Sequence, residues 1–130
     1  MEAAFLTGMA ATDWTWAPRM EDFDLDGDLD LAAIAFYPDW SLDNPQTFVY
    51  LENKGAQGLQ PSIPTKEHWG RWMTMDTGDF NLDGFPDIIL GGAYVKHGVH
   101  SEYQDSYQKL PHPTLLIMEN RAGELKPPKP

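Results

Sequence analysis

The chain has 130 residues, enough for the core of one domain, and its 42% hydrophobic content with 11 glycines and 11 prolines suits short strands and many turns better than long helices. A formal net charge of −11 argues against nucleic acid and anionic membranes as partners and favours cations or basic surfaces. The absence of cysteine excludes disulfides, thiol catalysis and cysteine-ligated zinc or iron, and no apolar run approaches the ~18 residues of a membrane span.

In chain order, the start "MEAAFLTGMA" lacks the basic and apolar regions of a signal peptide. A tryptophan-rich approach, "DWTWAPRMED" (13–22), leads into "DFDLDGDLDL" (22–31), with aspartate at every second position. The apolar run "LAAIAFY" (31–37) follows and stops at the turn-rich "PDWSLDNP". "TFVYLENKG" (47–55) reads as a strand entering a tight turn at Asn53-Lys54-Gly55. The order then repeats: "HWGRWMTMDTGD" (68–79), "DFNLDGFPDI" (79–88), the apolar run "IILGGAYV" (88–95), and the strand and turn "TLLIMENRAG" (114–123). Between the last two sits an inserted loop, "KHGVHSEYQDSYQKLPHP" (96–113). The Ile-Ile pair and the two consecutive glycines of "IILGG" favour a strand over a helix. Apolar residues at successive strand positions imply burial on both faces.

The two acidic stretches match position by position. Asp22, Asp24, Asp26, Gly27 and Asp30 align with Asp79, Asn81, Asp83, Gly84 and Asp87, an internal repeat at an offset of 57 residues. Like charges this close repel, so the spacing calls for a cation among them. Calcium takes six to eight oxygen ligands in flexible geometry. In a D-x-[DN]-x-D-G-x-x-D loop, side chains at the first, third and fifth positions turn inward and glycine at the sixth lets the chain turn. The seventh position gives a backbone carbonyl and the ninth closes the shell. That predicts Asp22, Asp24, Asp26, the Asp28 carbonyl and Asp30 for one ion, and Asp79, Asn81, Asp83, the Phe85 carbonyl and Asp87 for a second. The all-oxygen donor set favours calcium over zinc or copper. EF-hand and dockerin loops need an acid at position twelve, where Ala33 and Leu90 stand.

The spacing D-F-[DN]-x-D-G-x-x-D-[LI], followed by a buried strand and by "VYLENKG" or "LIMENRAG", resembles the FG-GAP/VCBS repeat, the blade unit of integrin-alpha-like β-propellers. The resemblance covers the chain from about residue 13 onward. It implies an all-β fold of propeller-type repeats, with the acidic loop in the hairpin between the first two strands of a blade and a structural role for calcium. The implied organisation is an N-terminal segment (1–12) that ends a preceding blade, a first repeat (13–66), a second repeat (67–125) carrying the inserted loop, and a proline-rich tail (126–130). Propellers close with about four to eight blades, so two repeats imply part of a larger propeller or an assembly. Other blades, self-association or a partner protein would then cover the open faces. Calcium-rich surroundings imply an extracellular, cell-surface or periplasmic location.

Outside the loops, Trp14, Trp16, Trp69 and Trp72 precede equivalent loops and read as packing between blades. Tyr37 and Trp40, beside a turn, are candidates for an exposed aromatic contact, and a lectin-like, glycan-binding module is the alternative that they support. The inserted loop offers His97, His100, Tyr103 and Tyr107 for a ligand or partner, with His97, His100 and His112 as a possible transition-metal set. No nucleophile elbow or phosphate-binding glycine loop is present, so no catalysis is expected in this chain. A second alternative is the accessory domain of a larger extracytoplasmic enzyme.

Overall fold

The computed structural model of the protein describes residues 14–37, 47–61, 71–95, 97, 99–109, 112–121 and 124–126. They form eight strands: β1 (Trp14–Glu21), β2 (Asp30–Tyr37), β3 (Phe48–Asn53), β4 (Leu59–Pro61), β5 (Trp72–Gly78), β6 (Asp87–Gly92), β7 (Leu115–Arg121) and β8 (Glu124–Lys126). Each successive group of four makes an antiparallel sheet with its strands in sequence order, β1-β2-β3-β4 and β5-β6-β7-β8. The architecture is therefore all-β, and each acidic loop joins the first two strands of its sheet. Among the described residues no ring closes.

The apolar run of β2 is explained by cover on both faces. Ala32 and Ile34 stand opposite Tyr50 and Phe48 on the inner face, while Leu31 and Ala33 stand opposite Leu51 and Val49 on the outer one. In the second sheet, Ile88 faces Met118 and Leu90 faces Leu116 on the side toward the first sheet. The shared core lies between the two sheets, with Phe23, Ile34, Phe48 and Tyr50 against Trp72, Met75, Leu90 and Met118. Each such side chain, fully buried, contributes about 1.5–3 kcal/mol, so this seam is the main hydrophobic bond between the repeats. Leu31, Val49 and Leu51, with Leu59, form a separate cluster on the outer face of the first sheet.

The glycine pair of "IILGG" has a packing reason as well. A Cβ on Gly92 would come within 2.4 Å of the Pro113 carbonyl oxygen and 3.2 Å of the Trp72 ring. Only a bare α-carbon admits both. Trp72 is fully buried, as its place before the loop led us to expect, whereas Trp69 and the side chains of Trp14 and Trp16 lie outside the described residues. In β1 the pairing slips between Trp16 and Arg19, at Ala17 with φ 49°. Pro18, which has no N–H to give the ladder, sits in that bulge.

The inserted loop departs from expectation. Expected as a loop, it holds a 3-10 turn (Ser101–Tyr103) running into a short helix, α1 (Gln104–Lys109). Six residues are too few to show a helical hydrophobic period, and the helix is held by burial of one anchor, Tyr107. No helix among the described residues is long and apolar enough to cross a membrane.

Candidate functional site

Each acidic loop folds around its first aspartate. Asp22 Oδ1 accepts the Asp26 N–H at 3.0 Å and Asp22 Oδ2 accepts the Gly27 N–H at 2.9 Å. Asp24 Oδ1 also accepts the Asp26 N–H, and Asp26 Oδ1 accepts the Asp28 N–H. The second loop repeats the pattern. Asp79 accepts from Asp83 and Gly84, Asn81 accepts from Asp83, and Asp83 accepts from Phe85. Gly27 and Gly84 take φ of +97° and +93°, a region that side chains disfavour, so the turn glycines have the role expected of them. Leu25 and Leu82 also have positive φ, 59° and 61°, at equivalent places. Two loops that share even their strained residue are one structure used twice.

The consequence is a convergence of carboxylates. Asp22, Asp24 and Asp26 each bring a potential ligand oxygen within 4.8 Å of the others. Crowding raises the energy of the charged forms. Desolvation first, then the charges of Asp30 and Asp26, push the Asp24 carboxyl up to about 6 from an ordinary 3.8. Asp28 is shifted upward too, by desolvation and then by Asp26.

Asp30 and Asp87, the residues expected to close the metal shells, are held by hydrogen bonds inside the sheets. Both are fully buried. Asp30 Oδ2 accepts the Phe23 N–H at 3.2 Å and the Tyr50 hydroxyl at 2.8 Å, and its Oδ1 accepts the Asn53 N–H at 2.8 Å. Asp87 accepts the Phe80 N–H through Oδ2 and the Asn120 N–H through Oδ1. Each is thus a clamp between its loop and the third strand of its sheet. A buried carboxylate is tolerated there because donors surround it. Tyr50, Asn53 and Asn120 are the functional residues that reasoning from the sequence missed. Their one visible signal was the matched asparagine near the end of each third strand.

The asparagines extend the clamp. Asn53 Nδ2 donates to the Leu29 carbonyl of its own loop at 3.2 Å, and Asn120 Nδ2 donates likewise to Pro86 at 2.9 Å. Asn120 Nδ2 also crosses the seam to the Phe23 carbonyl at 2.6 Å. The second repeat thereby fastens the first repeat's loop. Nearby, the Thr77 hydroxyl donates to Glu21 across the same seam.

The candidates in the inserted loop divide. Tyr107 is buried, stacked on Tyr94 at a 5.8 Å centroid distance and set edge-on to His112 at 4.7 Å. Tyr107, a candidate for a ligand or partner contact, thus packs inside the inserted segment. His112 is held by the Tyr107 carbonyl oxygen. His97 and His100 are exposed, and His100 pairs with Glu102 at 3.3 Å. Among the described residues the three histidines do not form a metal-ligand group. Tyr103 is half-buried, 6.2 Å from the His100 ring. Trp40 and the side chain of Tyr37 lie outside the described residues.

Two meander sheets, each with a D-x-[DN]-x-D-G hairpin loop clamped to its third strand, define an all-β repeat segment. The sequence profile of the FG-GAP-like repeat matches residues 22–90, more than half of the chain, and the chain belongs to that family. No curated protein and no solved structure is detectably similar to it.

Proposed function

We propose that each acidic loop holds one calcium ion, and that the ions stabilise a non-catalytic binding scaffold working outside the cytoplasm. The observation that carries this reading is the convergence of the Asp22, Asp24 and Asp26 oxygens within 4.8 Å. Oxygens on opposite sides of one ion, each at roughly 2.3–2.6 Å, are at most ~5 Å apart. The donor set is all oxygen, which suits a hard cation. The first loop offers Asp22, Asp24 and Asp26, with the Asp28 carbonyl completing the turn. The second offers Asp79, Asn81, Asp83 and the Phe85 carbonyl. Asp30 and Asp87 act from behind as clamps that fix the loop, and Asp30 Oδ1, with one hydrogen bond, keeps a lone pair for the ion. Asn81 replaces a charge by an amide, so the second loop binds more weakly. Two ions would take the formal charge of the chain from −11 to −7.

The function follows from the scaffold. The ions neutralise carboxylates that otherwise repel, the hairpins become rigid, and the sheets present edges and loops to a protein or other ligand. Isothermal titration of the metal-free chain with calcium tests this. The expected result is two equivalents, with Asp26→Ala and Asp83→Ala each removing one and the double variant removing both. A ligand at 100 times its Kd stabilises the native state by roughly 2.7 kcal/mol per site, so thermal melts in calcium and in EDTA supply a second readout. Unchanged binding by the double variant would sink the assignment.

A further inference from the structure

Phe23 sits between two ligand aspartates of the first loop, Asp22 and Asp24, and is held at three points. Asp30 Oδ2 accepts its N–H at 3.2 Å, and its buried ring packs edge-on to Tyr50. Its carbonyl oxygen accepts from Asn120 Nδ2 at 2.6 Å. The first two holds belong to the first repeat and the third to the second. On the other side of Asp22, the Thr77 hydroxyl donates to Glu21 at 3.2 Å. Both chain neighbours of Asp22 are therefore fastened by the second sheet.

Neither fastener is independent of the second loop. Asn120 gives its N–H to Asp87 at 2.8 Å and an amide hydrogen to the Pro86 carbonyl at 2.9 Å, both at that loop's end. Thr77 lies two residues ahead of Asp79, the aspartate around which that loop folds. The Asn120 amide is fixed in direction. Its Oδ1 is buried with no hydrogen-bond partner among the described residues, and turning the amide over would set that oxygen against two carbonyl oxygens. A buried acceptor left open is costly, and filling space would need no amide. Asn53, the equivalent residue, is used otherwise: its Oδ1 accepts the Gly55 N–H and its Nδ2 donates to Leu29, both within the first repeat.

Building on the calcium reading given above, we infer that the two loops are coupled sites: an ion in either one strengthens binding at the other, through Asn120 and Thr77. An ion restrains the loop that it enters. In the second loop this fixes Pro86 and Asp87, and with them Asn120, and with Asn120 the Phe23 backbone that spaces Asp22 from Asp24. Part of the ordering that the first ion demands is then already done. Linkage makes the reverse effect equal in size. Direct repulsion between two divalent ions has the opposite sign, and salt at physiological strength screens it beyond about 8 Å. Asn81 makes the second loop the weaker site, so the first loop fills earlier and the coupling shows at the second.

Calcium titration of the metal-free full chain in ~0.15 M salt, followed by NMR at the Gly27 and Gly84 amides, tests it. Each of these N–H groups is bonded to the first aspartate of its loop, so each signal reports one site. With the first loop disabled by Asp26→Ala, the Gly84 midpoint should rise at least about fivefold over the wild type. In an Asn120→Ala background, the same substitution should leave the Gly84 midpoint within about twofold, as for independent sites. Equal Gly84 midpoints in the wild type and Asp26→Ala would overturn the coupling and leave the calcium reading standing. A full rise that persists in the Asn120→Ala background would mean that the effect travels as charge and not through the bridge, which overturns the inference as well. Should Asn120→Ala not fold, Thr77→Val takes its place: it deletes only the hydroxyl that meets Glu21, a smaller rise is expected, and an undiminished one overturns the inference. No response at either glycine would remove the calcium reading itself, and the coupling with it.

Discussion

Removing one oxygen from Tyr50 isolates the clamp. Tyr50→Phe keeps the ring, which packs edge-on to Phe23 at a 5.6 Å centroid distance, and deletes only the hydroxyl that donates to Asp30 Oδ2 at 2.8 Å. Hydrogen bonds to charged groups contribute about 1.5–3 kcal/mol. Both partners are buried, so water cannot replace the lost donor, yet Asp30 keeps the Phe23 and Asn53 N–H groups. The expected loss is about 2 kcal/mol. In a chain of this size 1 kcal/mol moves Tm by roughly 3–5 °C, so the variant should melt about 6–10 °C lower. Burial and the Asp30 carboxylate both push the phenol upward, above its ordinary range. It stays protonated at any usable pH, and the deficit should not vary with pH. Circular dichroism melts in EDTA give the number directly. A Tm within about 2 °C of the wild type would mean that the Asp30 clamp is not closed in solution, and the case for a buried carboxylate fastening each loop would fail.

Two further outcomes can be checked on the same footing. Asn120→Ala removes donors from the Phe23 and Pro86 carbonyls at once and should cost about 2 kcal/mol or more. It should also speed amide exchange at Asp26 and Gly27, on the other sheet, while Asn53→Ala should leave the second loop unaffected. The pH dependence of the metal-free chain should run opposite to ordinary acid denaturation. Asp24 is raised to about 6 from 3.8, so the folded state holds that proton more tightly than the unfolded chain. The destabilisation is fully present above the folded value and is relieved as pH falls through it toward the unfolded one. Melts in EDTA should therefore rise on going from neutral pH to pH ~5, and the stabilisation by calcium should shrink over the same interval, because proton and ion compete for one carboxylate. A Tm that simply falls with pH in EDTA would remove Asp24 from the crowded group.

Much of the fold was legible because the repeat is local. Spacings within "DFDLDGDLDL" encode the turn, the glycine and the converging oxygens, and duplication at a fixed offset turned a plausible acidic turn into a recognisable unit. The clamp was not legible in that way. Asp30 meets Tyr50 and Asn53 across 20 and 23 residues, and no local pattern announces a partner at that distance. The spacing rule that found Asp30 and Asp87 gave no sign of their clamp, since a sequence does not reveal which carboxylates end up buried. The second sheet keeps its clamp with Ile117 where the first has Tyr50, so even alignment of the repeats hid the tyrosine's part. The inserted segment misled for the opposite reason. Its histidines and tyrosines read as a loop offered to a ligand or partner, but one tyrosine buried against Tyr94 and His112 organises it.

The bond from Asn120 to Phe23 joins residues 97 positions apart, and this has a kinetic consequence. A chain emerging from the ribosome makes its first loop early and receives the latch for that loop only when β7 is complete. Contacts that span most of a chain delay folding, because the intervening loop entropy must be spent before they return anything. The first sheet can pair its strands and close its own Asp30 clamp beforehand, but the bond from Asn120 to the Phe23 carbonyl comes last. Translation arrest or proteolysis ahead of residue 115 would release a product whose first loop lacks that final fastening.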